Sequence, residues 1–155
     1  MKGCLRGTAL YGSRAEPSSS LSCVTTPLDP YRLPLTVLPR KYEVSLEPDL
    51  ENALFTGSVV ITADATDSVE QIVLNAIELD IHSVTVNGEA STFSLDEELE
   101  RLTLHTSAAQ GPVTIDVTFT GILNDKLRGF YRSTFVDDAG ATRTIATTQM
   151  QSTDC

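Results

Sequence analysis

Val113-Thr-Ile-Asp-Val-Thr-Phe-Thr120 decides the fold. Val113, Ile115, Val117 and Phe119 alternate with Thr114, Asp116, Thr118 and Thr120. Successive side chains of an extended strand point to opposite faces, so this octet has one dry face and one wet face. A helix would scatter the same four apolar residues around its axis, because its period is 3.6 rather than two. β-branched and aromatic side chains fit a pleated, half-buried surface. The octet therefore reads as a strand of an antiparallel sheet with one face on a core.

Working outward, the period of two recurs. Upstream, Phe55, Gly57, Val59, Ile61 and Ala63 alternate with Thr56, Ser58, Val60, Thr62 and Asp64. Gly57 inside that run points to a bulge or a close approach. Tyr42, Val44 and Leu46 alternate with Lys41, Glu43, Ser45 and Glu47, which predicts a buried face made of the first three. Pro34 and Pro39 forbid a helix between them, and Pro48-Asp49 ends the run. Ala65-Thr-Asp-Ser68 reads as a turn, followed by short strands at Val69–Leu74 and Leu79–Val86. Asn87-Gly88 is the pair favoured in a two-residue type I′ hairpin. Strands at Thr92–Leu95 and Leu102–His105 bracket the acidic loop Asp96-Glu-Glu-Leu-Glu100.

Downstream, Gly129–Phe135 and Thr142–Gln149 form a pair around Asp137-Asp-Ala-Gly140. Gly111-Pro112 punctuates the chain. Eight or nine strands with frequent turns and no helical period give an all-β, antiparallel β-sandwich over 31–155. Residues 1–30 have no period and read as a disordered N-terminal tail.

The totals narrow the function. The chain has 155 residues and a formal net charge of −10. Lys2, Arg6, Arg14 and Arg32 outnumber Glu16 and Asp29, so residues 1–38 are basic by two charges and the remainder is more acidic than the whole. An acidic domain repels phosphate backbones, so no nucleic acid is expected as partner. No apolar run is long enough for a membrane-spanning helix. Cys4, Cys23 and Cys155 lie outside the patterned region, and an odd count argues against a stapled secreted scaffold. The compartment reads as cytoplasmic, with an organellar location as the alternative because the first residues weakly match a transit peptide.

Catalytic chemistry is sparse. Zinc hydrolases need three protein ligands, an open position and a general base. The chain has two histidines, His82 and His105, on separate strand runs, and no H-E-x-x-H. The acidic loop lacks the spaced ligands and glycine of an EF-hand, and no G-x-S-x-G elbow occurs. Catalytic and metal-ligating residues are therefore read as none in this chain. Near the C-terminal end, Ile145, Thr147 and Gln149 share one strand face, and Gln149 and Gln151 stand two apart, so both amides emerge on one side. That spacing suits neutral amides facing a polar cleft; it equally suits a solvated strand end.

Four blocks carry a resemblance. Ala146-Thr-Thr-Gln-Met-Gln-Ser-Thr-Asp154, Leu127-Arg-Gly-Phe-Tyr-Arg-Ser133, Ile72-Val-Leu-Asn-Ala-Ile-Glu-Leu-Asp-Ile81, and the opening run Leu33-Pro34, Pro39, Tyr42, Val44, Leu46 and Pro48-Asp-Leu50 occur in one order. Together they resemble the N-terminal domain of M1-family zinc aminopeptidases, over roughly Tyr31 to Asp154. The resemblance implies a β-rich, saddle-like sandwich. It implies zinc, peptide substrates and release of N-terminal amino acids for the full-length enzyme, whose H-E-x-x-H and G-A-M-E-N segments belong to the next domain. It implies that Gln151 helps hold the substrate's free amino group and that Gln149 lines the first specificity pocket. The expectation is an N-terminal, non-catalytic domain present as a fragment or truncated gene product and inactive alone. The alternative is a stand-alone β-sandwich interaction module. Circular dichroism of residues 31–155 is expected to be β-dominated; a helical content above about a third, the ordinary level for globular chains, would overturn the sandwich.

Overall fold

The computed structural model describes residues 32–149, so the tail assigned to 1–30 and Gln151 lie outside the described residues. Ten strands and no helix occur among them. The strands are β1 (Val37–Asp49), β2 (Leu54–Ala65), β3 (Val69–Asn75), β4 (Leu79–Val86), β5 (Glu89–Ala90), β6 (Thr92–Asp96), β7 (Arg101–Ala108), β8 (Gly111–Ile122), β9 (Gly129–Val136) and β10 (Thr142–Gln149). The sequence had missed only the two-residue β5, and the expected all-β class holds. The strands make a five-stranded sheet ordered β1-β2-β8-β4-β5, a three-stranded sheet ordered β3-β7-β6, and a separate β9–β10 pair, all antiparallel.

The octet Val113–Thr120 is the heart of the large sheet. β8 lies between β2 and β4, in unbroken register with β2 from Leu54↔Ile122 to Ala65↔Gly111. Val113, Ile115, Val117 and Phe119 are all buried, and they join Ile72, Leu102 and Leu104 of the three-stranded sheet in one core. Burial of such side chains contributes roughly 1.5–3 kcal/mol each. The opposite face of β8 is polar and partly wet; there Asp116 accepts a hydrogen bond from Thr85 Oγ1 at 3.3 Å.

Gly57 resolves in favour of close approach. The register runs through it without a shift, from Leu46 on one side to Phe119 on the other. A Cβ built on Gly57 would stand 2.5 Å from the Phe119 ring. The neighbouring pair is its mirror: Phe55 is paired with Gly121, where a Cβ would meet the Phe55 ring. Each ring lies over the glycine opposite it. Asn87 and Gly88 have φ of 53° and 83°, and Val86 pairs with Glu89, which is the two-residue type I′ geometry. Asn87 Oδ1 also accepts from the Thr114 amide at 2.9 Å, tying this turn to β8.

One expectation fails. Tyr42 and Val44 are 56% and 57% exposed, and only Leu46 of the predicted buried trio is half-buried. They do sit on the core side, paired with Ile61 and Val59. β1 is the edge strand, and the covering layer has three strands to the large sheet's five, so the cover ends before it. Alternation fixes which side a residue faces, not whether a second layer reaches it.

The β9–β10 turn is built on one carboxylate. Asp137 accepts from the Ala139 and Ala141 amides and from Arg143 Nε at 2.8 Å. The Arg143 hydrogen bond, and then the Ala141 amide, hold its pKa below the ordinary carboxylate value. Asp49 is lowered likewise, chiefly by the Asn52 side chain, in the β1–β2 turn.

Two outcomes follow. Val117→Asp places a charge in the core and is expected to cost more than about 4 kcal/mol in urea unfolding, whereas Asp116→Ala is expected to cost under about 1 kcal/mol; the reverse order would mean the faces are assigned one register out. For Asp137, a depressed folded pKa means its contribution is complete above the unfolded value near about pH 4 and is lost as pH falls through the folded value. Amide spectra of Ala139 and Ala141 recorded from neutral pH downward are expected to hold through pH 5 and change only below the ordinary carboxylate range.

Candidate functional site

The β9–β10 hairpin is the element to which the candidate site belongs. Its register runs without a shift from Thr142↔Val136 to Gln149↔Gly129. Paired residues share a face, so one face carries Phe130, Arg132, Thr134 and Val136 with Thr148, Ala146, Thr144 and Thr142. Phe130 and Ala146 of that face pack against the core. The other face carries Tyr131, Ser133 and Phe135 with Gln149, Thr147, Ile145 and Arg143. On it Tyr131, Ser133 and Thr147 are half-buried, while Phe135, Ile145 and Gln149 are exposed.

Gln149 is the last residue of β10, at the hairpin end remote from the Asp137 turn. Its strand partner Gly129 has φ of 60°, the left-handed region that suits glycine where the chain turns into β9. The loop before it is held by Asn124: Lys126 N donates to Asn124 Oδ1, Arg132 N donates to Asn124 O, and Lys126 Nζ reaches Glu78 at 2.6 Å. The amide of Gln149 is exposed and carries two donors and an acceptor. Gln151 lies outside the described residues.

The other candidates are dispersed. His82 is the irregular residue of β4, between Ile81 and Ser83, and its Nε2 lies 2.6 Å from Thr120 Oγ1. His105 is on β7, with Nε2 3.1 Å from Ser94 Oγ. The two rings belong to different sheets and each is engaged by a hydroxyl. No group of three His, Cys, Asp or Glu side chains with metal-binding proximity occurs among the described residues. In the acidic loop, Asp96 Oδ1 accepts from the Leu99 amide at 3.0 Å and so shapes its own turn. Neither histidine is brought beside further ligands of a zinc ion among the described residues.

Two residues to which the sequence assigns no functional role, Phe130 and Phe55, matter to the placement of Gln149. Phe130 stands edge-on to Phe55, with ring centroids 5.1 Å apart and planes at 78°. Phe55 in turn meets Phe119 edge-on at 6.2 Å. Gly121 makes room for the Phe55 ring. The signal for Phe130 was present, since Phe130, Arg132 and Thr134 must face away from Tyr131 and Ser133. Which face met the core was not legible.

Comparison with known proteins gives one answer. Residues 38–155 match the Peptidase M1 N-terminal domain. "Aminopeptidase 2, mitochondrial" of Saccharomyces cerevisiae is 36% identical over 130 residues, which are 79% of this chain and 14% of that protein. "Aminopeptidase M1-C" of Oryza sativa subsp. japonica is 38% identical over 130 residues, with the same shares of 79% and 14%. "Puromycin-sensitive aminopeptidase" of Caenorhabditis elegans is 37% identical over 130 residues, again 79% and 14%. The chain therefore spans about 14% of the length of these curated relatives. A match over most of the described β domain, agreeing with the four sequence blocks and with the ten-strand architecture, places this chain in the Peptidase M1 N-terminal domain family.

Proposed function

We propose that this domain is the non-catalytic N-terminal part of a zinc aminopeptidase of the M1 type and forms one wall of its substrate cleft. The observation that carries the reading is the exposed Gln149 at one end of a hairpin whose outer face also leaves Phe135 and Ile145 exposed. The aminopeptidase names of the relatives give the substrate class, a peptide with a free N-terminus. Zinc, held by residues elsewhere in such an enzyme, would supply an activated water. This chain's own contribution is to bind and orient. Gln151, two residues beyond Gln149 in the sequence, would accept from the substrate's ammonium group, and Gln149 would border the first side chain. An amide oxygen accepts from a cation without the cost of burying a second ion.

A second reading, a stand-alone interaction module, rests on β1. It is a sheet edge, and Tyr42 and Val44 leave an apolar stripe beside it uncovered. An extended peptide from another protein would add there as a further strand.

Kinetics separates the two. In the chain joined to the catalytic domain of an M1 relative, Gln151→Ala is expected to lower kcat/KM roughly ten- to hundredfold, as loss of a charge-assisted hydrogen bond of about 1.5–3 kcal/mol requires. Gln151→Glu is expected to retain or raise turnover. Gln149→Ala is expected to reorder the preference among aminoacyl reporters with different first residues. Unchanged kcat/KM in both alanine variants would remove the glutamines from the site and leave the interaction module as the better reading.

A further inference from the structure

We propose that Phe130 is the positioning residue for the strand end that carries Gln149, acting through its edge-on contact with Phe55. The β9–β10 pair hydrogen-bonds to no other strand among the described residues, and no residue of either strand is fully buried. A lone two-stranded hairpin is marginally stable in water. What fixes this one to the sandwich is therefore decisive. Of its apolar side chains, Phe130 and Ala146 pack against the core, while Phe135, Val136 and Ile145 are exposed. Ala146 offers one methyl; Phe130 offers a ring seated against another ring. Other ties at this end include the Arg132 amide to Asn124 O and the exposed Lys126–Glu78 pair, and exposed ion pairs are weak, salt-screened restraints.

Position in the hairpin makes the ring specific to Gln149. Phe130 pairs directly with Thr148, and the adjacent rung is Gly129↔Gln149. Phe130 is thus the anchor nearest the end of β10, while Asp137 ties the opposite end of the hairpin only to itself. Phe55 is backed by Phe119 and seated on Gly121, so the surface that receives Phe130 is rigid core. The hairpin is accordingly a separate cooperative unit latched chiefly by Phe130, and the latch sets where the end of β10 lies. The relevance of that place to substrate rests on the cleft-wall reading; the latch itself does not.

The test is amide hydrogen exchange by NMR on the whole 155-residue chain, which needs neither substrate nor zinc. In the unsubstituted protein the ladder amides of β9 and β10 are expected to exchange at least tenfold faster than those of β7 and β8, as expected for a unit that opens on its own. Phe130→Ala is expected to speed β9–β10 exchange by a further tenfold or more and leave β7 and β8 unchanged. The side-chain amide signals of Gln149 should move toward free-peptide positions in that variant. Phe130→Tyr keeps the ring and is expected to restore both readouts; Phe130→Leu, which keeps apolar bulk, should fall between. Hairpin amides that exchange in step with β7 and β8 would overturn the proposal. So would a Phe130→Ala protein with unaltered hairpin exchange and Gln149 signals, or one in which all strands loosen equally. Should Phe130→Ala not fold, the unsubstituted protein and Phe130→Leu decide by the same criteria. Because no arm measures catalysis, the latch can fail while the glutamine kinetics succeed, and the reverse.

Discussion

Two phenylalanines and two glycines, paired crosswise, are the constraint on which this domain rests. Phe55 stands opposite Gly121 and Phe119 opposite Gly57 on adjacent antiparallel strands. Glycine inside a strand is a weakness, because it brings backbone entropy and no side chain. Here each ring lies over the opposing glycine and restores the missing contact. The arrangement is demanding: a methyl at either glycine would collide with an aromatic ring, and overpacking of that kind destabilises by about 1–3 kcal/mol. It also sets the height of the Phe55 ring edge, on which the β9–β10 hairpin is mounted.

The sheets are unequal in extent, and the electrostatics fit that inequality. A five-stranded sheet faces a three-stranded one, so the inner side of β1 is bare. Around that bare stripe β1 carries Lys41, Glu43, Glu47 and Asp49, with Pro39 and Pro48 near its ends. Charges and prolines on an edge strand oppose indiscriminate pairing with a second copy, and the net charge of −10 adds repulsion at longer range. The apolar stripe remains exposed without being freely sticky.

Much of this was legible in the sequence. The alternation of Val113 to Thr120 names a strand and its buried face, and all four apolar positions are buried as read. Asn87-Gly88 names a turn type because both residues tolerate positive φ. β5 was missed because a two-residue strand has no period to detect. Tyr42 and Val44 were misread because periodicity is a property of one strand, whereas burial depends on how far a distant layer extends. The site was less legible still. Spacing and resemblance single out Gln149 and Gln151 only as candidates, and the contact of Phe130 with Phe55 joins residues far apart in the chain. Nothing local encodes such a contact.

The central place of β8 has a consequence for the order of assembly. The β1–β2 and β4–β5 pairs are hairpins that close over short loops, as does β6–β7. The large sheet becomes one object only when β8 enters between β2 and β4, and its outermost rung joins Leu54 to Ile122 across most of the domain. Such non-local pairing pays its loop-closure entropy before any contact rewards it, which slows folding. On a ribosome, β2 and β4 would emerge with unmatched edges and wait through the synthesis of β5, β6 and β7 for the strand that joins them. That interval of waiting edges is when the nascent domain is most open to mispairing and most suited to a chaperone.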